Sequence, residues 1–235
     1  MQTKNTKTKT KAKKLLLTGA SGKLGIKILE IFLNMDYFVA AQCSDNAKKI
    51  KDFLKKNPQF KDKVEILEMD FEVDIPQIDK DITCIVNCAS IFEEGNFTFP
   101  INLMKVSLIN AYLPVALTSQ FAKNCAKTGG NVINILDGNV YRYNEHYQNY
   151  RTSKLILEEI TRQSAIIFAP KFRINAIAFG VVDEADTTSC VAAKQKELLP
   201  AEISLKNIAQ TIDFLLTCDN LTGQIIYLDN GVHLL

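Results

Sequence analysis

The chain has 235 residues, 47% of them hydrophobic, enough for one α/β domain with a full core. Its net charge of +2 is carried by residues 1–14, which hold six lysines and no acid; without them 22 Lys/Arg face 26 Asp/Glu, a net charge of −4, so no nucleic-acid partner is expected of the folded body. Two histidines and six cysteines without a Cys-x-x-Cys pair argue against a metal site and for free thiols in a reducing cytoplasm, with no run near the roughly 20 apolar residues of a membrane span.

Residues 1–13, rich in Lys and Thr and poor in apolar side chains, predict a disordered, solvated leader. No apolar run precedes Leu15, so it does not read as a secretory signal. The domain is expected over 14–235. Strand-like runs lie at 14–18, 37–41, 64–68, 82–87, 131–136, 173–178 and 224–228. Between them, amphipathic stretches predict helices at 23–34, 45–56, 101–127, from about Tyr147 to 168, and at 205–217. Continuous apolar strands separated by helices imply a parallel sheet covered on both faces, a single doubly wound Rossmann-type α/β domain of about seven strands. Cys84 and Cys88 fall in such a run and read as small buried side chains. The polar stretch 182–200 predicts a mobile lid over a substrate.

The first strand runs into Thr18-Gly19-Ala20-Ser21-Gly22-Lys23-Leu24-Gly25 and then a helix. Glycines in that context let the backbone approach a pyrophosphate, while the helix N-terminus offers free N–H groups. Strand two ends Gln42-Cys43-Ser44, with the first acid at Asp45. No carboxylate stands where it holds ribose hydroxyls in many NAD sites, and Lys23 and Ser44 can both meet a 2′-phosphate, so NADPH is the expected cofactor. Asp70, after strand three, is expected near the adenine, although an ordinary turn aspartate fits as well. Asn87-Cys88-Ala89-Ser90 closes strand four at the sheet edge that faces the cofactor.

Tyr150 and Lys154 are four residues apart, on one face of a helix. An ammonium near a phenol favours the phenolate, which helps a group whose ordinary pKa is about 10 exchange protons near neutrality. Pro114 inside the long helix removes the donor to the carbonyl of Asn110. Either that carbonyl holds a water leading to Lys154, or the helix is simply kinked.

The set Thr-Gly-x-x-x-x-x-Gly, Asn-x-Ala, Asn110 and Tyr-x-x-x-Lys resembles the short-chain dehydrogenase/reductases over almost the whole chain after the leader, through Leu221-Thr222-Gly223-Gln224 and Asp229-Asn230-Gly231. The resemblance implies an NAD(P)(H) oxidoreductase that is a tetramer or dimer, with Tyr150 as proton donor, Lys154 as its partner and ribose ligand, and Asn110 in a proton relay. Two departures resemble the pteridine reductase and dihydromonapterin/dihydrofolate reductase branch: Asp137 where most members have serine, and Lys23 where many have glycine. Ser90-Ile91-Phe92 fits the same branch.

These likenesses imply NADPH contacts at Gly19, Ser21, Gly22, Lys23, Leu24, Gly25, Ser44, Asp70, Asn87, Ala89, Ser90, Tyr150, Lys154 and Gly180. Substrate contacts fall to Ser90, Phe92, Asp137 and Tyr150, and catalysis to Asp137, Tyr150, Lys154 and Asn110. The implied substrate is a 7,8-dihydropterin, dihydromonapterin or dihydrofolate, reduced to the tetrahydro form, with Phe92 either stacked on the ring or buried as a core aromatic after strand four. Tyr141 and Arg142 can line the pocket or lie at the surface, and Ala178-Phe179-Gly180 departs from the usual Pro-Gly. The alternatives are a 3-oxoacyl-type carbonyl reductase of the same family and a non-catalytic NAD(P)-binding regulator.

Overall fold

The computed structural model describes residues 13–98, 100–125, 127–182, 197–199 and 202–235. The leader, apart from Lys13, and nearly all of the expected lid lie outside them. In chain order the elements are β1 (Lys14–Thr18), α1 (Lys23–Asn34), β2 (Phe38–Cys43), α2 (Ala47–Lys56), β3 (Val64–Glu68), β4 (Cys84–Asn87), α3 (Pro100–Ser107), α4 (Leu113–Asn124), β5 (Gly130–Asp137), α5 (Gln148–Phe168), β6 (Phe172–Phe179), α6 (Leu205–Thr217) and β7 (Ile225–Leu228). The seven strands form one parallel sheet in the order β3-β2-β1-β4-β5-β6-β7. The order reverses between β1 and β4, where a doubly wound sheet opens a crevice at its carboxyl edge.

Alternation explains why the strands read as unbroken apolar runs. Leu15 and Leu17 pack with α1 and α6 on one face, and Leu16 packs with α4 on the other. The same split separates Val86 from Ile85 and Ile133 from Val132. Ile28, Leu29 and Phe32 of α1 fill the first layer, and Leu117, Phe121 and Phe172 fill the second. Register then lines up the carboxyl ends: Thr18 lies beside Asn87, Asn87 beside Asn134, and Asp137 beside Phe179.

Three expectations change. β2 runs on through Gln42 and Cys43, because both pair with β3 and the Gln42 side chain is buried with its hydrogen bonds made. The long helix is not continuous: a π-helical turn, Leu108–Tyr112, separates α3 from α4. There the Leu113 N–H bonds the carbonyl of Leu108, five residues back, so the wide turn accommodates the proline that follows. Finally, the run Ile101–Asn124 is long and apolar enough to cross a membrane by length and composition, with mean hydropathy 1.3. Its polar positions are mostly uncharged, so a count of unbroken apolar residues overlooks it. Half of that window is buried, with Leu113, Leu117 and Phe121 packed on the sheet.

Candidate active site

Two cavities open side by side at the carboxyl edge and share Gly19, Gly22, Cys88 and Ser90 as walls. The first, of about 380 Å³, is lined by Lys23, Leu24 and Gly25 of the turn, by Phe92, by Asp137 and Asn139, by Tyr150 and Lys154, and by residues 179–182. The second, of about 290 Å³, is lined by Ser21, Gln42, Ser44, Asp70, Glu72, Ala89 and Ile91, among others.

The glycine turn is shaped by close approach. A Cβ on Gly19, whose φ is +64°, would lie 2.7 Å from the Ala89 backbone, and one on Gly25 would lie 2.2 Å from the Gly19 carbonyl oxygen. Gly22 has more room, and it caps α1 at the mouth of both cavities. Two side chains hold the turn in place. The Thr18 hydroxyl accepts from the Cys88 and Ala89 N–H groups, both at 3.0 Å. Gln42 accepts from the Gly19 N–H at 2.9 Å and donates to the Met69 carbonyl at 2.7 Å. Sequence reasoning passed over both; the available signal for Gln42 was a lone amide inside an apolar strand.

The chemistry gathers in the first cavity. Asp137 ends β5, and its Oδ1 accepts from the Asn139 N–H at 2.7 Å while its Oδ2 accepts from the Tyr150 hydroxyl at 3.1 Å. Lys154, one helical turn beyond Tyr150, is buried. Its ammonium donates to the Ile135 carbonyl at 2.9 Å and sits 5.8 Å from the centre of the Tyr150 ring. The ring of Phe92, 47% exposed, stacks on Tyr147 at 4.7 Å and meets Tyr150 edge-on at 4.7 Å. Exposure settles its reading as a wall rather than a core aromatic.

The electrostatics reverse one expectation. Burial raises the Tyr150 phenol well above its ordinary value, and the Asp137 carboxylate beside it raises it further. The lysine does not pull it down, because the closest charge is the carboxylate. Tyr150 therefore stands as a protonated acid through neutral pH. Burial lowers Lys154 to about 8, against the opposing pull of Cys88 and Asp137. Cys88, expected to be a small buried residue, is only partly buried and lines both cavities, with its thiol pushed up to about 11 by burial.

The remaining expected residues divide. Asn87 lines neither cavity: it donates to Asn134 at 2.8 Å, Asn134 donates to Thr161 at 2.9 Å, and this buried polar chain joins β4, β5 and α5. Asn110, fully buried on the π turn, also lines neither. Its side chain exchanges hydrogen bonds with the Ile91 backbone at 2.7 and 3.0 Å and donates to Ser153 at 2.9 Å, so it holds the Phe92 segment against α5. Tyr141 and Arg142 stay out of both walls, and Tyr141 instead donates to Glu158 at 2.5 Å. Gly180 lines the first cavity. A Cβ there would lie 2.9 Å from the Cα of Asp229, a buried residue that accepts from the Gly231 and His233 N–H groups behind the same wall. Lys23 and Ser44 do not converge: Lys23 lines the first cavity and Ser44 the second, where Asp70 and Glu72 also stand.

A protein-family model described as enoyl-(acyl carrier protein) reductase matches residues 75–233. A protein named dihydromonapterin reductase from Escherichia coli O6:H1 is 23% identical over 243 residues, covering 96% of this chain and 99% of its own. One of the same name from an Enterobacter species is 22% identical, covering 92% and 95%. Among solved structures, FolM alternative dihydrofolate reductase 1 from Brucella canis, complexed with NADP, superposes with a TM-score of 0.83 at 26% identity over 95% of each chain. The Brucella suis protein of that name, also with NADP, gives 0.82 at 26% over 95% and 96%.

Proposed function

The chain belongs to the short-chain dehydrogenase/reductase family, and on that premise we propose that it is an NADPH-dependent reductase of a pteridine, taking a 7,8-dihydropterin or dihydrofolate to the tetrahydro form. The observation that carries this reading is the Asp137 carboxylate, which accepts from Tyr150 at 3.1 Å in a cavity walled by Phe92. A serine there suits a plain carbonyl; a carboxylate suits a ring that presents N–H and amino donors. The names of the relatives and the NADP in the Brucella structures support the same cofactor and substrate class.

The residues fit the cofactor. The Gly19 and Gly25 positions admit no Cβ, and the N-terminus of α1 opens at Gly22 between the two cavities, the arrangement that receives a pyrophosphate. Lys23 stands on the first-cavity side, so the phosphate charge it meets is the pyrophosphate rather than the 2′-phosphate. NADPH supplies the hydride, to C6 of the pterin. Tyr150, kept protonated by burial and by Asp137, delivers the proton to N5. Asp137 holds the hydroxyl in place and accepts from the substrate with its remaining lone pairs. Lys154 keeps a positive charge beneath both, and Phe92 offers a face for the ring.

The test is NADPH consumption by purified protein with dihydromonapterin, 7,8-dihydrobiopterin and dihydrofolate beside an acetoacetyl thioester. Turnover of the thioester alone removes the pteridine reading and leaves a carbonyl reductase. Cofactor binding without turnover of any of these leaves a nucleotide-binding regulator.

Ile101, Met104, Leu108 and Tyr112 form an exposed apolar stripe along α3 and the π turn, and Ile166 and Ile167 stand exposed on α5. These helix faces are the proposed subunit contacts of a tetramer. Sedimentation of the protein as a monomer at assay concentration removes that assignment.

A further inference from the structure

Among the described residues, six side chains keep a buried nitrogen or oxygen without a hydrogen-bond partner: Asn87, Ser107, Asn131, Asn139, Arg142 and Asn149. Of these, only Asn139 lines the first cavity. Its orphan atom is the amide oxygen Oδ1. An unpartnered buried carbonyl is costly, and its presence in a catalytic wall calls for a partner that arrives with the substrate.

The backbone around Asn139 is pinned while its side chain is not. Its N–H donates to Asp137 Oδ1 at 2.7 Å, and the Arg151 guanidinium contacts the carbonyls of Val140 and Tyr141 on the other side of the same 3₁₀ turn, Gly138–Tyr141. The turn thus fixes the Asn139 backbone beside the carboxylate that accepts from Tyr150 and leaves its amide able to turn.

The chemistry of the ring says which edge this amide meets. In a dihydropterin the atom that takes the proton, N5, lies beside the C4 carbonyl, and N3–H follows it. Going outward from the reacting atom, the edge reads acceptor, then donor. Both Asp137 oxygens already accept, from the Asn139 N–H and the Tyr150 hydroxyl, so they do not serve the C4 carbonyl, whereas a carboxamide carries one donor group and one acceptor and is its complement. We propose that Asn139 is a specificity residue whose carboxamide turns to pair with the C4 carbonyl and N3–H of the pterin ring. This deepens the pteridine reading and rests on it.

The experiment compares wild type with Asn139→Ala and Asn139→Asp. It uses the substrate 7,8-dihydromonapterin and the competitive probe quinoxaline, whose carbocyclic ring has neither the C4 carbonyl nor N3, so that no orientation of the carboxamide can pair with it. Thermal melting and NADPH affinity report on folding and on the cofactor site. The expected result is a KM for dihydromonapterin raised about ten-fold in both variants, with kcat and NADPH affinity little changed. Inhibition by the quinoxaline probe should shift much less. An unchanged KM, or equal losses for substrate and probe, overturns the role of Asn139 while the pteridine reading stands. Failure of the wild type to bind or reduce any pterin overturns the pteridine reading, and this inference with it.

Discussion

The two cavities at the carboxyl edge differ in how their polar groups are satisfied. In the second, Gln42 spends both ends of its amide on backbone, the Asp70 carboxylate accepts from the Glu72 N–H at 2.9 Å, and Glu72 pairs with Lys105 at 3.0 Å. In the first, a phenol, an ammonium and a carboxylate share a partly enclosed space, two of them with displaced pKa values, and an amide oxygen is left without a partner. Satisfied groups make a rigid cradle, and displaced titrations beside an unpaired hydrogen-bond acceptor mark the candidate site of reaction. Under the proposed function, the difference corresponds to recognition in one half of the crevice and reaction in the other.

Four substitutions or titrations break or sharpen that division. Tyr150→Phe removes the acid of the reacting half, and turnover should fall by about 10²–10⁴-fold with NADPH affinity kept. Turnover within a few-fold of wild type would place the proton donor elsewhere. Next is pH. Lys154 is charged below about 8 and neutral above it. If the charge serves the reaction, kcat/KM falls as pH rises through that value in the free enzyme. A limb that persists in Lys154→Met belongs to another group. Gln42→Ala acts on the cradle: it strands the Gly19 N–H and the Met69 carbonyl, which should lower stability by about 1–3 kcal/mol and weaken both cofactors. Unchanged melting and unchanged cofactor affinity would mean that water replaces the amide and the cradle is not rigid. The smallest effect is at Lys23, between the halves. Lys23→Ala should weaken NADPH and NADH by the same few-fold factor, and a loss confined to NADPH would return Lys23 to the 2′-phosphate.

Much of the architecture was legible because it is local. The alternation in Leu15-Leu16-Leu17 and the apolar spacing of α1 specify a strand buried on both faces and a helix packed on one. Apart from the long helix, predicted boundaries fall within two residues of the observed ones. Pro114 signalled a disturbance near Asn110, and the π turn Leu108–Tyr112 is the form it takes. The site was legible as a set of residue types: Asp137, Tyr150, Lys154 and Phe92 do line one cavity. Which polar residues face that cavity was not legible. Asn87 looked like a cofactor ligand and turned into the interior, whereas Asn139 drew no attention and stands in the wall.

By itself the sequence determined the doubly wound sheet, the glycine turn at its switch point and the proposed reacting groups, since each was read from neighbours a few positions away. Tertiary structure alone decided that burial, and after it Asp137 rather than Lys154, raises the Tyr150 phenol, that Lys23 and Ser44 face different cavities, and that Gln42 braces the turn. Those outcomes depend on distances between side chains carried by elements far apart in the chain, set by strand register, by helix packing and by burial. A half-buried carboxylate in hydrogen-bond contact with a buried phenol outweighs an ammonium spaced favourably along the same helix.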